Sequence, residues 1–136
     1  LVLAFPQVIP PVPLRLERAS FAAGMERRTL TLRHLLPARA TPLEVGRELV
    51  VLFDVFSPAA VPATVQLEWW RDGTLLRTSR DVAIVAHTNG FRLWDAWHPT
   101  APPVPPGRYR VVLQTSGRRV FGVGRITVEP DSAVPR

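Results

Sequence analysis

No window of about twelve residues in this chain places apolar side chains at helical spacing, whereas several short segments place them at alternate positions. Alternation is the period of a strand that buries one face. Fifteen prolines spread through the 136 residues restrict helices further, because proline lacks the backbone N–H and clashes with the preceding turn. The sequence therefore predicts one all-β domain.

The clearest strands lie in the middle of the chain. Residues 48–56 are apolar on both faces, which predicts a central strand. Residues 64–71 alternate so that Trp69 points inward and Trp70 points to the opposite face. Asp72-Gly73 follows at once and predicts a tight hairpin of type I′.

Further segments complete the predicted domain. Strands are also expected at 14–21, 29–36, 75–78, 82–85, 91–94, 108–115 and 119–129, with a short helical turn at 22–28. Gly122 and Gly124 mark a bulge or a close approach of backbone. The predicted organisation is an extended arm at 1–13, a sandwich of seven or eight short strands at 14–129, and a tail at 130–136.

Three features between residues 65 and 128 resemble bacterial immunoglobulin-like or fibronectin-III-like domains. They are the strand LEWWRDG with its inward tryptophan, the segment PPGRYRV at 105–111, and the closing strand ending in Ile126-Thr127-Val128. The resemblance implies an immunoglobulin-like sandwich of antiparallel strands, in which the Tyr109 hydroxyl is placed for a tyrosine-corner contact. It implies no activity, because this architecture serves many unrelated functions.

The net charge by itself excludes few classes of function. All 17 basic residues are arginines, and the formal net charge is +6. Because these arginines are scattered along the sequence rather than clustered on one element, nucleic-acid binding is not predicted. No apolar run approaches the ~20 residues of a membrane-spanning helix.

The sequence offers no catalytic, metal or cofactor site. Without cysteine there is no disulfide framework, thiolate metal site or cysteine nucleophile. The best local pair is Asp95 with His98, inside a proline-rich segment, and no recognised ligand spacing surrounds it. We expect a protein that is not an enzyme.

The N-terminal arm is the feature that most needs a partner. Four prolines within LVLAFPQVIPPVP favour an extended path, and so apolar a segment must cover its own sheet or bind another subunit. The predicted function is a structural or protein-interaction module, either a homo-oligomer or bound to another protein. Its predicted contact residues are Leu3, Phe5, Val8, Ile9, Trp94, Trp97 and His98, the last three within a loop at 94–106.

The alternative function is carbohydrate binding by exposed Trp70, Trp94 or Trp97, whose rings could stack on sugars. If residues 94–97 are extended, Trp94 and Trp97 point to opposite sides, and each could instead pack the loop onto the sheet. The chain begins at Leu1 rather than Met, which is consistent with a processed or excised domain. We expect an extracytoplasmic location.

Overall fold

The computed structural model describes residues 15–26, 28–29, 31–56, 65–80, 83–87, 90–115 and 120–130. Within these ranges the elements are β1 (Arg15–Glu26), β2 (Thr31–Leu35), β3 (Arg39–Ala40), α1 (Pro42–Val45), β4 (Leu49–Phe56), β5 (Val65–Arg71), β6 (Thr74–Ser79), β7 (Ala83–His87), β8 (Gly90–Trp97), β9 (Gly107–Thr115) and β10 (Val120–Val128). No described helix is long and apolar enough to cross a membrane. The predicted arm at 1–13 lies outside the described residues.

The strands form two five-stranded sheets. The first sheet has the order β2-β1-β4-β8-β7, and the second has the order β3-β10-β9-β5-β6. Neighbouring strands are antiparallel except for β3, which pairs with β10 in parallel. Because one apolar cluster draws on both sheets, the protein is an all-β sandwich, as the sequence predicts.

The core is built from the alternating positions of the central strands. Val65, Leu67 and Trp69 of β5 are buried, and Trp69 lies opposite Val111 of β9 with both side chains at 0% exposure. In β4 the residues of both faces are buried, from Leu49 through Phe53. On the outer face Val50 packs against Met25 of β1 and Ala96 of β8, the two neighbouring strands, so every residue of β4 except Asp54 is apolar.

The hairpin predicted at Asp72-Gly73 is confirmed. Asp72 has φ 49° and Gly73 has φ 82°, and Arg71 pairs with Thr74 across the two-residue turn. Both central positions need positive φ in this turn, and glycine adopts it without strain while aspartate tolerates it.

Both predicted effects of the β10 glycines also occur. The register with β9 shifts between Val120 and Gly122, which is a bulge. A Cβ atom on Gly124 would lie 3.1 Å from Cβ of Ala19 and 3.2 Å from the ring of Phe21. Glycine therefore lets β10 approach β1 closely where the two sheets meet.

Three details of the sequence prediction are wrong. The helical turn expected at 22–28 is strand, because β1 continues to Glu26 and pairs there with β2. The strand expected to end at Trp94 continues to Trp97, fully paired with β4. The described strands number ten rather than seven or eight. One of them, β3, has only two residues, too few to leave an alternating pattern.

A polar cluster joins the two sheets beside the core. Asp95 of β8 points inward, and its carboxylate accepts a hydrogen bond from the indole N–H of Trp69 at 2.8 Å and another from the Ser79 hydroxyl. Arg77 of β6 lies 3.6 Å from the same carboxylate and donates to Ser79 at 2.7 Å. The buried indole N–H therefore has a charged acceptor from the opposite sheet.

Replacing Asp95 should destabilise the fold more than an equivalent change on the outer face. Asp95→Ala leaves the Trp69 N–H without its acceptor, and we expect a loss of about 1 to 3 kcal/mol in the free energy of unfolding by urea. Asp95→Asn keeps one acceptor oxygen and should lose less. Asp54→Ala, which removes a partly exposed partner of Arg92, is the matched control and should cost about 1 kcal/mol or less. Equal losses for the two alanine variants would contradict this role.

Candidate functional site

The predicted tryptophan contacts lie on different faces of the sandwich. Trp97 is half-buried against the core, with its ring centroid 5.7 Å from that of Tyr109. Trp94 is also half-buried but packs on the outer face of the first sheet, against the cluster of Met25, Val50 and Ala96. The two side chains therefore point to opposite sides, as extended spacing predicts, and both pack against their own domain.

Asp95 and His98 do not form one site. The His98 Nε2 atom lies 2.7 Å from the Glu48 carboxylate, while the Asp95 carboxylate binds Trp69, Ser79 and Arg77. Among the described residues, no three His, Asp or Glu side chains come together as metal ligands would. The predicted arm contacts Leu3, Phe5, Val8 and Ile9 lie outside the described residues.

The proline loop, residues 98–106, is fixed to its own domain. Val104 is fully buried, and its N–H donates to the Gly46 carbonyl at 2.8 Å. The Arg71 guanidinium donates twice to the Pro106 carbonyl, at 2.9 and 2.6 Å. The Tyr109 hydroxyl donates to the Pro105 carbonyl at 2.6 Å, which is the tyrosine-corner contact expected from the sequence.

On one side of the sandwich, the edge of β10 is only partly paired among the residues that the structure describes. Only Thr127 and Val128 of β10 pair with β3. On this side the N–H of Thr127 donates to the Ala38 carbonyl at 2.9 Å, and that of Glu129 donates to the Ala40 carbonyl at 2.7 Å. By alternation the N–H groups of Val123 and Arg125 point the same way, and no described strand pairs with them.

A groove runs beside this edge, between β10 and β1. Its volume is about 350 Å³, and it is lined by Arg18, Ala19, Ser20, Phe21, Leu35, Leu36, Pro37, Ala38 and Arg125. Ala19, Phe21 and Leu36 belong to the core or pack against it, whereas Leu35 is 68% exposed. We call this feature the β10 edge groove. It combines an apolar floor with backbone N–H groups that no described strand binds.

A second, larger groove lies on the outer face of the second sheet. Its volume is about 640 Å³, and it is lined by Trp70, Asp72, Gly73, Arg108, Tyr109, Arg110, Arg125, Ile126 and Thr127. Arg110 lies directly opposite both Trp70 on β5 and Arg125 on β10. We call this feature the arginine groove.

The arginine groove was missed by the sequence analysis, which treated the arginines as scattered. Arg108 and Arg110 are two residues apart and share a face of β9, which is visible in the sequence. The position of Arg125, the third arginine, depends on the bulge in β10. Before the bulge Val120 pairs with Gln114, and after it Gly122 pairs with Leu113. This shift of one residue brings Arg125 rather than Gly124 opposite Arg110, and no spacing rule predicts it.

No protein-family model matches this chain, and no curated protein matches it. The resemblance to immunoglobulin-like domains therefore remains a prediction.

The pKa of Tyr109 depends on the burial of its hydroxyl, which lies where the proline loop meets β9. Burial raises the pKa of its hydroxyl from 10.0 to about 12; the nearby Arg71 lowers this pKa and Asp72 raises it, each by less. Because the folded-state pKa exceeds the unfolded value, folding favours the neutral hydroxyl. The resulting stability is complete below pH 10 and is lost as the pH rises toward about 12.

This shift can be measured directly because Tyr109 is the single tyrosine in the chain. We expect the ultraviolet absorbance of tyrosinate to appear with a midpoint near 12 in the folded protein, and near 10 in denaturant. Tyr109→Phe should remove the signal and, by deleting the hydrogen bond, lower the free energy of unfolding by about 1 kcal/mol. A midpoint near 10 in the folded protein would contradict the burial of the Tyr109 hydroxyl.

Proposed function

We propose that this chain is a non-catalytic assembly module, in which the N-terminal arm of one copy adds to the β10 edge groove of a second copy. The observation that carries the proposal is the edge of β10, which no described strand covers at Val123 and Arg125, beside an apolar floor. An exposed edge is a template for another strand, and proteins usually blunt or cover it. Here the β10 edge offers backbone N–H groups to an added strand. Ala19, Phe21 and Leu36 form an apolar surface on which alternate side chains of that strand can pack.

The arm has the composition that such a groove requires. Residues 1–5 (LVLAF) contain no proline, so alternate residues can contribute their N–H groups to a strand pair. In an extended segment Leu3 and Phe5 share one face, which could rest on the apolar floor. Both surfaces are apolar, so their contact removes hydrocarbon from water on each side.

The rest of the arm favours a second copy over the same chain. Residues 6–13 contain Pro6, Pro10, Pro11 and Pro13, and such sequences form stiff polyproline II spacers. A spacer of this length extends roughly 25 Å at ~3.1 Å per residue. It would hold Leu3 and Phe5 away from the domain that bears them and present them to a neighbour.

The same proposal includes an immunoglobulin-like topology and an extracytoplasmic location. The orders β1-β4-β8-β7 and β10-β9-β5 follow the chain in the same way as strands ABED and GFC of immunoglobulin domains. The Tyr109 contact near the start of β9 supports the same assignment. In this correspondence the unpaired edge belongs to the last strand of the domain.

The alternative, carbohydrate binding by exposed tryptophans, has support at one position. Trp94 and Trp97 pack against their own domain, whereas Trp70 lines the arginine groove.

Deleting residues 1–13 should convert the assembled protein to monomers. We expect a lower sedimentation coefficient for the deletion variant, because the β10 edge groove then has no strand to bind. An unchanged sedimentation coefficient at the same concentration would contradict the proposal.

A point variant tests the other side of the same contact. Leu35→Glu places a charge at the rim of the β10 edge groove, on a side chain exposed enough that the fold should tolerate it. It should weaken assembly by about tenfold or more, because it removes apolar surface from the contact and places there a carboxylate that must lose its hydrating water. Leu43→Glu, at a leucine 91% exposed on α1 and outside the groove, is the matched control and should assemble normally. Equal weakening by both variants would argue against binding at this groove.

A further inference from the structure

The arginine groove holds positive charge that no described carboxylate pairs with. Arg33, Arg39, Arg77 and Arg92 each form a salt bridge with a carboxylate. In contrast, no salt bridge within the described part of the chain reaches Arg108, Arg110 or Arg125. The one carboxylate that lines the groove, Asp72, accepts from the backbone N–H of Arg108 at 2.9 Å. The three guanidinium groups are therefore available to a ligand.

The positions of these arginines also work against the stability of the fold. Arg110 and Arg125 are directly opposite across β9 and β10. The N–H groups of Thr127 and Glu129 donate toward β3 and therefore point away from β9, and by alternation that of Arg125 does so as well. Arg110 and Arg125 are thus a pair without hydrogen bonds to each other, the kind of pair in which side chains are closest. Like charges in such a pair are destabilising, and a bound anion would offset the repulsion.

Trp70 holds one of the three guanidinium groups in place. The Arg110 Cζ atom lies 5.3 Å from the centroid of the Trp70 ring, within the range of a cation–π contact. The indole N–H of Trp70 in turn donates to the Glu68 carboxylate at 3.3 Å. This arrangement positions Arg110 before a ligand arrives and uses one face of the ring, so Trp70 acts by orienting an arginine rather than by stacking on a sugar.

We propose that the arginine groove binds an acidic glycan, a polysaccharide that carries carboxylate or sulfate groups. Guanidinium forks bind such oxyanions with two parallel hydrogen bonds. The Thr127 hydroxyl and the Asp72 carboxylate can accept hydrogen bonds from sugar hydroxyls.

The geometry disfavours the other common polyanions. A single-stranded nucleic acid binds through several aromatic platforms, but the groove has Trp70 and Tyr109, of which the first is covered by Arg110 and the second is buried. An acidic peptide adding as a strand would bind along the free edge of β10, in the β10 edge groove. The arginine groove instead lies over the face of β5, β9 and β10, which are paired with one another and offer no strand edge there.

The test is calorimetric titration of the full chain with two defined glycans, a heparin oligosaccharide as the sulfated probe and an oligogalacturonate as the carboxylated probe. Neutral dextran is the negative control, and the glycan that binds identifies the source of the anion. We expect saturable binding of at least one acidic probe, weakening as salt increases. No saturable binding of either probe, or tighter binding of a single-stranded oligonucleotide, would overturn the proposal.

Variants separate this site from general attraction to a basic protein. Arg110→Gln and Arg125→Gln should each lower the affinity about tenfold, because each removes a charge-assisted contact. Arg47→Gln makes the same charge change at an exposed residue that does not line the groove, and it should leave the affinity within about twofold. A loss for Arg47→Gln as large as that for Arg110→Gln would overturn the site.

Two further variants test whether Trp70 orients Arg110 and whether glycan binding is independent of assembly. Trp70→Leu keeps the net charge but releases Arg110, so it should lower the affinity; unchanged affinity would show that Trp70 does not act on the ligand site. Deleting residues 1–13 should leave glycan affinity per chain unchanged, because the residues that line the groove lie between Trp70 and Thr127. Loss of glycan binding in this deletion variant would overturn that independence.

Discussion

The hydrogen bond from the Trp69 indole to Asp95 is the contact on which the rest of the sandwich depends. Trp69 is among the largest fully buried side chains, and its N–H would otherwise lie in an apolar core without a partner. The acceptor comes from the opposite sheet, so satisfying one polar atom also fixes β8 over β5. The Ser79 hydroxyl also donates to this carboxylate, and Arg77 forms an ion pair with it, so the same group attaches the edge strand β6.

The two proposed binding surfaces depend on the register and packing of the second sheet. The register of β5 against β9 sets Trp70 opposite Arg110 on the outer face, while Trp69 points inward. The close packing of β10 on β1 at Gly124 sets the width of the β10 edge groove. Arg125 lines both grooves, because it lies on the outer face of β10 beside the unpaired edge. One strand therefore presents its backbone to a neighbouring arm and its side chains to a ligand.

Those parts of the structure that depend on local pattern were predictable from the sequence. Alternation gave the inward face of β5, a two-sided apolar run gave the central position of β4, and Asp72-Gly73 gave the hairpin, because each signal lies within a few residues. The extension of β1 to Glu26 and of β8 to Trp97 was not predictable, because pairing with a neighbour overrides weak local preference there. The partners of Asp95 and the arrangement of Arg108, Arg110 and Arg125 were missed for a related reason: both depend on residues that are distant in sequence and on a one-residue bulge.

Residue-resolved hydrogen exchange at the backbone amides of β10 tests the central claim most directly. In the full chain at assembling concentrations, we expect slow exchange at Val123 and Arg125, whose N–H groups point to the edge that no described strand covers. In the chain lacking residues 1–13, these two amides should exchange rapidly, while those of Gly124 and Ile126, which face β9, stay protected. Equal exchange at Val123 and Arg125 in the two proteins would contradict the addition of the arm to this edge.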